Sequence, residues 1–288
     1  MENNADSLEP TPETCASCGA KLKGNYCRKC GEKKIVPERD FSVAKFLMQT
    51  FGHAIHFDSK IWRSYWLLFS KPGFLTAEWV AGRRVRYMKP LQLFVIAGIL
   101  FYFFLPTVPA HFSHIRDLKL GFETRDWVLN TWQYDVSDAL LEKARAAQIS
   151  ADDLADEIDK AAAKQSKTWL FLIIPFWGGL IYPFFRKKNA WLVPHLIFAL
   201  HGLTYYILAD LLIHFILNVL GMPPIGRHMM MLLLLAYFPY LLIAVQRVYS
   251  ISWPEAFAKT AAIEIGLLVL LIFYRQLITI WTLIFFGE

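Results

Sequence analysis

Residues 192–220 read LVPHLIFALHGLTYYILADLLIHFILNVL, a run of 29 residues in which Asp210 is the one formally charged side chain. At about 1.5 Å per residue a helix of this length measures roughly 43 Å, more than the ~30 Å of a bilayer's hydrocarbon layer. Within lipid no water can pair an open backbone, so such a stretch must close its hydrogen bonds within itself, as a helix does. Four further stretches share this character: 88–106, 168–185, 228–246 and 261–286. The composition agrees. Apolar residues make up 56% and charged residues 19%, against about 45–50% and about 25% in soluble domains, and the mean hydropathy is +0.35. These values argue against a soluble enzyme, a disordered chain and a secreted disulfide scaffold.

Charge sets the orientation. Residues 1–90 carry 15 Lys/Arg against 9 Asp/Glu, whereas residues 107–167 carry 8 against 11. Arg83, Arg84, Arg86 and Lys89 precede the first span, Arg186-Lys187-Lys188 separate the second from the third, and Arg247 and Lys259 lie between the fourth and fifth. Positive flanks stay on the cytoplasmic side. All three basic flanks meet that rule if the N-terminus is cytoplasmic and the C-terminus outside, with 107–167 as an external helical loop. In that loop a helix is expected over Ser137–Ala147 and another over Ala151–Lys164, capped by Ser150 and carrying a thin apolar stripe of Leu154, Ile158 and Ala161/Ala162. Residues 1–30 contain no apolar core of a cleavable signal peptide.

The four cysteines fall in two pairs, Cys15-x-x-Cys18 and Cys27-x-x-Cys30, each followed by glycine (Gly19, Gly31). Two such turns aim four sulfurs at one point and supply a tetrahedral shell. Zinc suits it best, as a structural ion, because a closed four-cysteine site has no open coordination position; iron in the same shell and a redox dithiol are the alternatives. The expected organisation is a disordered N-terminus (1–14), a zinc ribbon (15–34), juxtamembrane amphipathic helices (36–87) and a transmembrane bundle (88–288). The fold class is therefore an all-α membrane protein of about five transmembrane helices with a small N-terminal ribbon.

Between ribbon and membrane, the spacing predicts helices over about 41–56, from Asp58 or Ser59 to Ser70, and over Phe74–Ala81, with Lys71-Pro72-Gly73 and Gly82 as the breaks. In the second, Ile61, Trp62, Tyr65, Trp66 and Phe69 are expected to form one stripe. Next to Arg83, Arg84, Arg86 and Lys89, such helices suit the headgroup plane of an anionic bilayer; the bland reading is that the stripe packs on the bundle and the cations fix topology.

The order Cys-x-x-Cys-Gly, Gly24-Asn25-Tyr26-Cys27-x-x-Cys30-Gly31, Phe57-Asp58, Lys71-Pro72-Gly73 and Glu78-Trp79-x-x-Gly82-Arg83-Arg84-x-Arg86-Tyr87-x-x-Pro90, running straight into an apolar span, resembles a family of bacterial multi-pass membrane proteins of unknown function with an N-terminal zinc ribbon. The likeness covers about Cys15 to Leu105. It implies a location in the bacterial inner membrane and brings no activity, substrate or cofactor.

Polar side chains inside the spans are functional candidates, because burying them in lipid is costly. Tyr206, Asp210, His214 and Asn218 recur every four residues and make one slowly winding stripe. Arg275 in the last span falls at a depth similar to Asp210, and the two are expected to approach each other, as a packing clamp or as part of a polar site. There is no P-loop, dinucleotide glycine motif or nucleophile elbow. The reading is a non-enzymatic adaptor or regulatory scaffold, whose ribbon meets a cytosolic protein partner. The alternative is a small transporter or membrane enzyme that handles an ion or lipid through Tyr206, Asp210, His214 and Arg275. Nucleic acid is disfavoured as a partner, since the basic excess borders the membrane.

Overall fold

The computed structural model describes residues 14–46, 60–104, 145–146, 148, 150–221 and 227–285. Every regular element among them is helical: α1 (Pro37–Asp40), α2 (Lys60–Ser70), α3 (Phe74–Val80), α4 (Pro90–Phe104), α5 (Ala151–Phe185), α6 (Leu192–Val219), α7 (Arg227–Tyr249) and α8 (Trp253–Phe285). Two isolated β-bridges, Thr14 with Lys21 and Tyr26 with Lys33, accompany the cysteine turns. Residues 1–13 of the expected 1–14 tail, the greater part of 41–56, all of 107–144 and most of Ser137–Ala147 lie outside the described residues, whereas Thr14 is described, in its bridge with Lys21.

Two of the helices, over Leu192–Val219 and Trp253–Ile278, are long and apolar enough to cross a membrane; Pro90–Phe101 and Phe171–Phe185 are shorter apolar helices. The expected external helix at Ala151–Lys164 and the expected span at Thr168–Phe185 are one continuous helix, α5. Gln165-Ser166-Lys167 contain neither glycine nor proline, so nothing there stops propagation. Its start is as expected: the Ser150 hydroxyl accepts the Asp153 N–H at 3.0 Å. Similarly, α8 begins at Trp253 and runs through the expected start at Ala261.

The chain divides into two compact units. The first holds Met1–Ala97, Gly178–Tyr205 and Pro239–Thr260. Its buried side chains include Leu68, Leu93, Phe94, Phe185, Ile197 and Leu200, with Thr76, His195, His201 and Thr260 among them. Thr76, His195 and His201 find partners beyond their own helices. Thr76 Oγ1 meets His201 Nδ1 at 2.8 Å. His195 Nε2 faces the Asn189 carbonyl at 3.1 Å and its Nδ1 faces the Tyr249 hydroxyl at 2.8 Å. A carbonyl only accepts, so Nε2 carries the proton and Nδ1 accepts from Tyr249. The second unit holds Gly98–Trp177, Tyr206–Phe238 and Ala261–Glu288. Leu154, Ile158, Ile173, Trp177, Tyr237, Ile263 and Leu267 are buried there, and Thr282 donates to Gln165 Oε1 at 3.1 Å. Of the expected stripe, Leu154, Ile158 and Ala162 are buried and Ala161 is half-buried.

The Lys71-Pro72-Gly73 corner joins α2 to α3 and lies directly on α7. Gly73 has φ +74°, and a Cβ placed on it would stand 2.8 Å from the Cα and carbonyl oxygen of Ala244. Arg247 donates to the Pro72 carbonyl. Glycine is required here twice over, for its dihedral and for its lack of a side chain.

Candidate metal centre

Each Cys-x-x-Cys-Gly turn closes on itself in the same way. Cys15 N donates to Ala20 O at 2.8 Å and Gly19 N to Cys15 O at 2.9 Å; Cys27 N donates to Glu32 O at 2.8 Å and Gly31 N to Cys27 O at 2.9 Å. Gly19 and Gly31 take φ +71° and +75°, the left-handed conformation that lets the turn tighten. The four sulfurs then lie within 4.8 Å of one another, with Cys15–Cys30 and Cys18–Cys27 at 3.5 Å. A tetrahedral cage with metal–sulfur bonds of about 2.3 Å has edges of about 3.8 Å, so the cluster has the dimensions to hold an ion such as zinc. All four are free thiols. The thiol of Cys27 is drawn down to about 6, foremost by the backbone N–H of Cys30. Against the lowering pull of the Glu32 N–H, desolvation and the sulfurs of Cys15, Cys18 and Cys27 push Cys30 up to about 12. Thiols this close resist ionising together, and a cation among them removes that resistance.

The ribbon is fastened to the turn that leads into α4. Glu32, 3% exposed, accepts through Oε2 from the Ser17 hydroxyl at 2.6 Å and from the backbone N–H groups of Arg84 and Val85 at 2.9 and 3.0 Å. Arg86 donates to the Ser17 carbonyl at 3.0 Å. Arg84 lies over the Trp79 ring, 3.4 Å from its centroid, and its Nε donates to the Trp79 carbonyl. Burial lowers its pKa to about 10, while Asp40 and Glu32 pull it upward, so it stays a cation at neutral pH. Trp79 is also flanked by Phe41 and Phe46. Asp40 closes the arrangement: it accepts from Lys33 at 2.7 Å and from Val36 N at 2.9 Å, and pairs with Lys45 at 3.1 Å. Burial would raise its carboxyl, but these partners outweigh burial and hold it at about 2.

The cations expected at a headgroup plane are therefore placed as follows. Arg83 forks onto Glu78, with Nε donating at 2.9 Å. Arg84 and Arg86 engage Trp79 and the ribbon as above, and Lys89 is exposed. The aromatic stripe expected on α2 divides. Ile61, Ser64 and Leu68 are buried, whereas Trp62 and Trp66 point outward. Adjacent residues on a helix are about 100° apart, so pairs such as Ile61/Trp62 straddle the edge of the buried face.

In the second unit, Asp210 and His214 are both buried. His214 Nδ1 donates to the Asp210 carbonyl at 2.9 Å and lies 3.2 Å from Asp210 Oδ1. The Tyr206 ring meets the edge of Tyr237 at 5.8 Å, and Tyr237 neighbours Trp177 at 6.1 Å. The expected approach of Asp210 to Arg275 lies outside the described side chains. Sequence reading missed Glu32, Asp40 and the Thr76–His201 bond. A signal for the first was present: the two turns match position for position, and Glu32 stands where the first turn has Ala20.

Fold and site together define a helical protein with a four-cysteine cluster at its N-terminal end and apolar helices, two of them of membrane-crossing length. Residues 58–102 match a family described as "Protein of unknown function (DUF3667)". The matched stretch contains α2, the Pro-Gly corner, α3, the Gly82–Arg86 turn and most of α4. No curated protein and no solved structure matches.

Proposed function

We propose that this is a multi-pass membrane scaffold, non-enzymatic, with about five membrane-crossing segments, an N-terminus on the cytoplasmic side of a bacterial inner membrane and structural zinc in Cys15, Cys18, Cys27 and Cys30. The observation that carries it is the closed sulfur cluster on a ribbon clipped by Glu32 to the chain's approach to α4. A four-cysteine cage leaves no coordination position for a substrate, so its role is to hold a surface in shape. That surface carries the exposed Lys21, Lys23, Arg28 and Lys29 beside an exposed Tyr26, a set suited to a cytosolic protein with an acidic face. The outward face of α8 supports the membrane reading. Only 22% of its apolar window is buried, and Ile265, Val269 and Phe273, spaced four residues apart on one side of the helix, are all more than half exposed.

The buried Asp210–His214 pair favours a second reading, transport or chemistry of an ion or lipid at a polar intramembrane site. Cross-linking followed by co-purification separates the two. A scaffold keeps its partner when Asp210→Asn and Arg275→Gln are combined and loses it when Cys15 and Cys27 become Ser; the opposite result overturns the scaffold reading.

A further inference from the structure

Trp62 and Trp66 are 81% and 73% exposed, one helical turn apart on the same face of α2, and Phe69 at 37% continues their row. The opposite face is fixed by Ser64 and the flank by Tyr65. Ser64 Oγ accepts the Met88 N–H at 3.0 Å, and the Tyr65 hydroxyl donates to the Leu93 carbonyl at 2.9 Å. These two bonds set α2 beside the first turn of α4, where the chain changes from the cationic 83–89 turn to an uncharged apolar run. At the far end of α2 the Phe69 ring packs on Tyr205 at 5.0 Å, and α3 is tied to the preceding turn of α6 through Thr76 and His201. The α2–α3 corner thus lies against α6 where 13 residues have already risen from its start and the long apolar run continues. Between residues 59 and 77 there are three cations, Lys60, Arg63 and Lys71, and no Asp or Glu.

We infer that Trp62 and Trp66 are a bilayer contact of this protein, seated at the boundary between headgroups and acyl chains, with the exposed Arg63 and Lys71 beside anionic headgroups. An indole combines an apolar body with an N–H that needs a polar partner, and that boundary supplies both. The cations of the 83–86 turn are held by Glu78, Trp79 and Ser17, whereas Arg63 and Lys71 lie over the Tyr87 and Phe74 rings at 5.5 and 5.6 Å and remain exposed on α2 and its corner. The inference rests on the membrane reading above and adds which surface meets the lipid.

The test uses the full-length protein in vesicles of phosphatidylcholine and phosphatidylglycerol, with bromine on the acyl chains either near the glycerol or near the chain end. Wild type is compared with W62F/W66F, which keeps the bulk of the exposed rings and removes their emission. The difference emission is expected to be quenched by the shallow bromines more than by the deep ones, and to be unaffected by aqueous iodide. Quenching by iodide alone overturns the inference by placing the rings in water. Quenching by neither overturns it by placing them under protein, as a second copy of the chain would do. Failure of wild type to float with the vesicles overturns the membrane reading as well, which separates the two failures.

Discussion

The ribbon and the Lys71–Gly73 corner are both turned by glycine in the left-handed region, yet their glycines do different work. At Gly19 and Gly31 an added Cβ would meet nothing within 4 Å; at Gly73 it would press on the backbone of α7. The ribbon has almost no apolar interior beyond Cys15 and Cys27, so sulfur geometry and carboxylates hold it. The corner is held by close packing against a neighbouring helix, with Arg247 on the Pro72 carbonyl as a supplement. Glycine at the same dihedral therefore marks a permitted bend in one region and an obligatory contact in the other.

That contrast can be pressed experimentally. The largest effect is expected from stripping the proposed zinc with a chelator or from Cys15→Ser with Cys27→Ser, since structural zinc contributes on the order of 10–16 kcal/mol to zinc-finger peptides. Limited proteolysis should then cut within 15–34 while sites around the corner stay protected; cutting at both would show that the two regions do not stand independently. Next comes Gly73→Ala, where a left-handed residue costs about 1–2 kcal/mol and overpacking about 1–3 kcal/mol more. It should lower the melting temperature in detergent without loosening the ribbon, and an unchanged melting temperature would refute the tight contact. Glu32→Gln, which weakens charge-assisted bonds by about 2 kcal/mol, should speed amide exchange at Arg84 and Val85 while metal content stays the same. Gly31→Ala is expected to be the mildest, on the order of 1 kcal/mol, because only the dihedral objects.

The cysteine pairs, the Pro-Gly break, the end of α2 and the limits of α3 were legible because each depends on residues within a few positions of one another. Glu32 was not, since the amides it accepts lie 52 and 53 residues away. For α2 the periodicity was visible, but its split into buried Ile61, Ser64 and Leu68 and outward Trp62 and Trp66 depends on where α4 lies. The continuity of α5 follows a local rule, the absence of a breaker between Lys164 and Thr168, that an assumed boundary between an external loop and a span concealed. Thr76 and His201 carry no joint signature at a separation of 125 residues.

Glu32 acts at both of its ends: its carbonyl closes the second cysteine turn on Cys27 N, and its carboxylate grips Arg84 and Val85. No linker separates the cage from the latch. An event that springs the cage, whether oxidation of a thiol or loss of the proposed metal, would release the latch in the same motion, so the chain leading into α4 would register the fate of the sulfurs without any relay.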